Sequence, residues 1–170
     1  MPDARICVKR LRSKYRKADE RFRDIDLELN VANPTREVQE LRQRLIYNSG
    51  ITLIGTTPQQ VHNLLVLNNN PPMAPLFDTI LLDEASQMDV ANAILPIASI
   101  GDEGSLIIAG DPQQLPPIHK AHPPAGLECM VGSIFNYFKQ RHKLREHALK
   151  MNYRSNQTIV DFEYEAGYPR

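Results

Sequence analysis

The sequence predicts an α/β fold in which a parallel sheet is flanked by helices, and three observations carry that prediction. Phe77-Asp78-Thr79-Ile80-Leu81-Leu82 and Ser105-Leu106-Ile107-Ile108-Ala109 are short apolar runs bounded by turn residues, as in central strands buried on both faces. A helix-length segment separates them, which makes a βαβ unit. Both runs end in acidic and amide side chains: Asp83-Glu84-Ala85-Ser86-Gln87 after the first, and Gly110-Asp111-Pro112-Gln113-Gln114-Leu115-Pro116-Pro117 after the second. In open α/β sheets, ligands bind beyond the carboxyl ends of the strands, so chemistry is expected at these two ends.

The elements follow in order. Residues 6–29 read as one long helix, because Val8, Leu11, Tyr15, Ala18, Phe22, Ile25 and Leu29 recur at alternating spacings of three and four. Pro34 ends it, and a second helix starts after Thr35 as N-cap, with Val38, Leu41 and Leu45 on one face and Gly50 as its stop. Residues 1–49 are thus expected to form an α-helical hairpin. Ile51-Thr52-Leu53-Ile54 is β-branched and apolar, hence a strand. Gly55-Thr56-Thr57 follows it, and Pro58 opens a helix reaching about Asn68, with Thr57 as cap. Asn68–Pro75 is rich in turn residues.

Met88–Ile100 reads as the crossover helix, with Val90, Ala93, Ile94 and Ile97 inward and Pro96 kinking or ending it. Gly101–Gly104 is the returning loop, and Pro112–Pro124 a rigid, exposed one. Val131–His142 is a helix with Ile134, Phe135 and Phe138 as its apolar face, and Asn156–Tyr164 another, with Ile159, Val160 and Phe162 inward. Between them, Lys139, Arg141, Lys143, Arg145 and Lys150 form either a solvated helix end or a phosphate-contacting rim.

Composition narrows the class. At 170 residues and 42% hydrophobic content, one compact domain with an appendage is expected. There is no run of about 18 apolar residues and no apolar signal region, so no membrane span or export is expected. Cys7 and Cys129 have no partners at metal-ligand spacing, which suits a reduced intracellular setting, cytoplasmic or nuclear. His119 and His122 lack a third ligand and read as surface residues. The net charge of zero hides an asymmetry: residues 1–46 hold 12 Lys/Arg against 8 Asp/Glu, and residues 47–170 hold 8 against 12. A basic arm on an acidic body is compatible with a nucleic-acid track.

An apolar strand delivering Asp and then Glu suits nucleotide hydrolysis. The first carboxylate, Asp83, can hold Mg²⁺, and the second, Glu84, can orient or deprotonate an attacking water. The plainer alternative is that the pair caps the next helix. Gln114 has a neutral amide that can accept from water and donate to a γ-phosphate, so it can report nucleotide state.

Asp83-Glu84-Ala85-Ser86-Gln87 followed by Gly110-Asp111-Pro112-Gln113-Gln114-Leu115-Pro116-Pro117 resembles motifs II and III of superfamily 1 helicases, closest to the 1B branch that includes the nonsense-mediated-decay helicase. The resemblance implies a RecA-like P-loop NTPase domain. It makes residues 50–147 the C-terminal part of the first such domain and 148–170 the start of the second, with a stalk at 1–49. It implies ATP and Mg²⁺ as cofactors and single-stranded DNA or RNA as partner. Asp83, Asp111, Gln114, Tyr153 and Arg154 would contact nucleotide or its metal. Glu84, Gln114 and Arg154 would be catalytic, Arg154 as an arginine finger in the region similar to motif IV, with Tyr153 beside the adenine. Thr56 and Thr57 are similar to the motif Ib/Ic region and would touch the nucleic-acid backbone. Arg154 is followed by Ser155-Asn156-Gln157, closer to the 1A branch.

The phosphate-binding loop is not among the 170 residues. Gly50-x-x-x-x-Gly55-Thr56-Thr57 has the spacing but lacks the lysine, and its middle residues read as a strand. Three readings follow: a helicase segment that is inactive alone and completed by the remainder of a helicase chain, an adaptor that keeps the fold and binds nucleic acid or protein, or a P-loop NTPase of another kind. Exposed sheet edges would favour self-association.

Overall fold

A computed structural model describes residues 6–47, 50–67, 75–118 and 122–168. The turn-rich stretch at 68–74 and His119 lie outside these. The chain divides into two compact units, Met1–Tyr137 and Phe138–Arg170. The boundary expected at residue 147 falls inside the second.

The first unit is parallel α/β. Strand β1 (Cys7–Ser13) lies between β2 (Asp26–Leu29) and β3 (Thr52–Gly55), and all three run parallel. A second parallel pair joins β4 (Phe77–Leu82) to β5 (Ile100–Ile108). Helix α1 (Arg36–Ile46) precedes β3, α2 (Pro58–Leu65) follows it, and α3 (Val90–Ile97) crosses from β4 to β5.

The long helix expected over residues 6–29, and with it the hairpin stalk, is not formed. Its place is taken by β1, a turn with a short 3-10 helix at Glu20–Phe22, and β2. The heptad seam was a coincidence of spacing, since its member Tyr15 is 86% exposed in the turn. Asp26-Leu27-Glu28-Leu29 alternates with the period of a strand, and Leu27 and Leu29 are buried. Register sets Leu11 against Leu27 and Ser13 against Leu29. The apolar face so made joins Val38 and Leu41 of α1, with Leu64 and Leu67, in one core cluster. Helix α1 therefore packs on a sheet, not along a second helix. Val38, Leu64 and Leu67 are almost inaccessible, which stabilises by roughly 1.5–3 kcal/mol per side chain.

The α1 start follows the sequence: Thr35 Oγ1 accepts from Val38 N at 3.4 Å. Thr52–Gly55 is a strand paired with β1, so the Gly50–Gly55 stretch is no phosphate loop. In α3, Asp89 caps by accepting from Asn92 N at 2.7 Å, and Pro96 sits in the last turn, one residue before the helix ends. Val90 and Ala93 are buried, but Ile94 faces out.

Strands β4 and β5 are buried on one face only, against expectation. Ile80 and Leu82 are buried on the face packed by α3, whereas Leu81 is 59% exposed and Ile107 49%. Among the described residues, no helix covers that other face, which the α/β pattern normally requires. The expected loop at 101–104 is drawn into β5 as an irregularity: Phe77 pairs with Ile100 and Thr79 with Ser105. Only glycine fits at 104, because a Cβ there would stand 2.7 Å from Ile100 Cγ1 and 2.8 Å from the Gly101 carbonyl.

Helix α4 (Ile134–His142) begins in the first unit with Ile134 buried. In the second unit, α5 (Gln157–Glu165) is capped by Asn156, whose side chain accepts from Ile159 N at 3.1 Å. Ile159 and Phe162, expected inward, are 48% and 69% exposed.

Candidate nucleotide site at the β4–β5 edge

The parallel pairing of β4 with β5 brings the two acidic strand ends together. The ladder continues past the strands: Ala109 N donates to Leu82 O and Ala85 N to Ala109 O, each at 2.8 Å. Ser86, buried at 4% exposure, then takes over with its side chain, and its Oγ accepts from Asp111 N at 3.1 Å. Finally Gln87 Nε2 donates to Gln114 Oε1. The loops are held this closely because residue 110 is glycine, since a Cβ there would lie 2.8 Å from Ser86 N and 3.2 Å from Ala85 N.

Each loop also has its own internal support. Glu84 adopts φ +51, a left-handed conformation uncommon for a residue with a side chain. Its amide donates to Asp83 Oδ1 at 3.0 Å. Strain of this kind collects at functional sites and persists where the surroundings enforce it. Here the bonds of Ala85 and Ser86 to the second loop do so. In that loop, Asp111 Oδ1 accepts from Gln113 N at 2.9 Å, and Gln114 N donates to Asp111 O at 3.2 Å, closing a tight turn. The start of α4 is pinned to the same place, with Ile134 N donating to Met88 O at 2.8 Å.

Asp83, Glu84, Asp111 and Gln114 thus share one edge. Asp83, Glu84 and Gln114 are exposed and Asp111 is half-buried. Among the described residues, no three His, Cys, Asp or Glu side chains gather into a metal site. The donor set still fits Mg²⁺, which typically takes one or two protein carboxylates and shares the rest of its shell with waters and substrate phosphates. Asp83 keeps Oδ2 outside its bond to Glu84 N.

Thr56 and Thr57 lie at the carboxyl end of β3, both exposed. Thr57 occupies the N-cap position of α2, but its side chain makes no capping bond, and Gln60 N and Val61 N go to its carbonyl instead. Pure capping therefore does not account for its hydroxyl.

Tyr153 and Arg154 belong to the second unit, and the structure does not set them against the acidic edge. There, Asn152 Oδ1 accepts from Arg154 N at 2.9 Å and from Ser155 N at 3.0 Å, and Asn152 Nδ2 donates to Glu163 at 3.2 Å. This holds the Tyr-Arg turn onto α5 beside a hollow of about 310 Å³ lined by Lys150, Arg154, Val160, Glu163 and Tyr164. Tyr153 is 86% exposed.

Sequence reasoning gave no role to Ser86 and Gln87. The available signal was their place beside the acidic pair, two and three residues after Glu84-adjacent chemistry begins, where a polar side chain can meet the neighbouring strand's loop.

A parallel sheet carrying these two acidic ends defines a class. The chain matches the AAA domain family over residues 7–122 and belongs to it, as a domain of the superfamily 1 helicase type. It is 28% identical over 160 residues to DNA polymerase alpha-associated DNA helicase A of Saccharomyces cerevisiae, covering 91% of this chain and 23% of that protein. It is also 28% identical over 119 residues to the 3'-5' exoribonuclease HELZ2 of Mus musculus, covering 63% of this chain and 4% of that one. The chain therefore spans a minor part of the length of these relatives. No helix among the described residues is long and apolar enough to cross a membrane.

Proposed function

We propose that this chain is a segment of an ATP-dependent superfamily 1 helicase motor that steps along single-stranded DNA or RNA, and that it hydrolyses ATP negligibly by itself. The observation that carries the reading is the cross-bonded β4–β5 edge, where a strained Glu84 sits beside Asp83, Asp111 and Gln114. Asp83 would hold Mg²⁺, and the ion would neutralise charge on the phosphate oxygens. Glu84 orients or deprotonates the attacking water, and Gln114 contacts the γ-phosphate. Arg154 supplies a planar, permanently charged donor to the same phosphate, and Tyr153 a ring for the adenine. The uncommitted hydroxyl of Thr57 and that of Thr56 support a contact to the nucleic-acid backbone.

Negligible turnover follows from the missing phosphate loop, because positioning and charge stabilisation supply most of phosphoryl-transfer catalysis. The test replaces the matching segment of the yeast helicase with this chain and measures ATP hydrolysis with and without single-stranded nucleic acid. The chimera is expected to turn over, and Glu84→Gln to lower its rate about 10²-fold or more. The 170-residue chain alone is expected to stay at background. A folded chimera without activity would sink the assignment. Turnover by the chain alone that Glu84→Gln abolishes would overturn its predicted inactivity.

A further inference from the structure

The geometry points to Gln87 as a positioning residue that fixes which end of the Gln114 carboxamide is presented to a ligand. A glutamine amide has an acceptor end and a donor end of nearly the same shape, and a half-turn about its last bond exchanges them. At an exposed position such as 114, nothing intrinsic selects one end. The structure supplies a selector. Gln87 Nε2 donates to Gln114 Oε1, and no other side-chain bond of Gln114 is present among the described residues. The acceptor end is thereby occupied, and the two N–H donors remain for an incoming oxygen. Gln87 is itself placed by the loop cross-bonds, since Ser86 is anchored to Asp111 N and Gln87 N donates to Glu84 O at 2.9 Å.

The consequence is chemical. An anionic phosphate oxygen is met by a donor and not by a carbonyl oxygen, so the site favours a phosphate-bearing ligand before one arrives. Replacing Gln87 by glutamate inverts this. The carboxylate has only acceptors and would draw Gln114 Nε2 to itself, turning the carbonyl outward. Gln87→Met keeps the length and removes the selector altogether. The assignment of a phosphate as the ligand rests on the function proposed above, whereas the orientation of the amide does not.

The experiment is side-chain amide NMR on the full 170-residue chain. In the native chain, the Gln87 Nε2 protons should exchange with solvent about twofold to fivefold more slowly than those of Gln114, as a single exposed hydrogen bond allows. In Gln87→Glu, the slowed protons should be those of Gln114. In Gln87→Met, the Gln114 side-chain carbonyl resonance should move to the position of an unbonded glutamine. Equal, unprotected exchange of both amides in the native chain overturns the proposal, and so does a Gln114 carbonyl resonance unmoved by Gln87→Met. A second arm adds Mg·ATP and follows the Gln114 Nε2 resonance, whose response should need about tenfold more nucleotide in Gln87→Glu. If the exchange pattern is as expected and native Gln114 ignores Mg·ATP, the amide orientation stands and the nucleotide reading of this edge fails.

Discussion

The molecule contains two parallel strand pairs that place their polar side chains differently. In β1–β2 the charges lie on the sheet face. Asp26, with its side chain 4% exposed, sits 3.7 Å from Arg10 Nε and 3.4 Å from Arg12 Nε, and Arg12 also pairs with Glu28 at 3.0 Å. In β4–β5 the strands themselves are apolar and the acids gather beyond the ladder, exposed and joined across two loops. The first arrangement immobilises charges to build a sheet. The second leaves carboxylates within reach of solvent, held by backbone bonds. Removing a charge should therefore harm the first region and barely disturb the stability of the second.

The largest effect expected is that of Asp26→Ala, which leaves two arginines beside one another without their shared partner. Breaking such a pair costs about 3 kcal/mol, the lower end of the usual range because Arg10 can reach solvent. Asp111→Ala should change stability far less. Urea denaturation of both variants checks the contrast, and equal losses would erase it.

Next comes Gly110→Ala. Its Cβ would meet backbone nitrogens at 2.8 and 3.2 Å, so the two loops must part, at a cost of about 1–3 kcal/mol. Loss of amide-exchange protection at Asp111, whose N–H bonds to Ser86, should accompany the drop.

A smaller effect of opposite sign is expected from Glu84→Gly. Relief of the left-handed strain outweighs the greater entropy of the unfolded glycine chain, for a net gain of roughly 0.5–1 kcal/mol. The same change removes the carboxylate proposed to handle water, so stability should rise as function falls. A measured loss of stability would show that φ +51 is not a strained state here.

The smallest effect lies in the β1–β2 turn. Asp19, hydrogen-bonded by the Arg21 guanidinium and backbone amide, is lowered from 3.8 to about 2. A depressed carboxyl favours the folded state above its unfolded pKa, and that contribution fades as pH falls from about 4 to about 2. Arg21→Ala should return the Asp19 midpoint towards 3.8, read by carboxyl NMR titration. Because both groups are fully exposed, overall stability should scarcely change.

Legibility in the sequence followed the same division. At β4–β5 the strand boundaries, the crossover helix and the clustering of Asp83, Glu84, Asp111 and Gln114 were all readable, because an apolar run followed by polar residues has one economical explanation in a parallel sheet. At β1–β2 the sequence was ambiguous. Seven apolar residues matched a heptad seam, while only four residues, Asp26–Leu29, declared a strand. The choice was made by what the segment could pack against: Leu27 and Leu29 complete a core with α1 and Leu64, and an isolated helix would have left that core open.

The roles of Ser86 and Gln87 were hidden for a different reason. Their partners lie 25 and 27 residues away, and no local pattern reports a bond that exists only once β4 and β5 are in register. By itself the sequence determined the order of elements from Ile51 onward, the acidic chemistry at two strand ends, and the absence of a lysine-bearing phosphate loop from these 170 residues. Those depend on residue type and near neighbours, which the chain states directly. Tertiary structure alone decided the fate of residues 6–29, the single covered face of β4–β5, the strained φ of Glu84 and the amide pair that aims Gln114. Each of these depends on contacts between residues distant in sequence, whose free energies outweigh local preference only in the assembled fold.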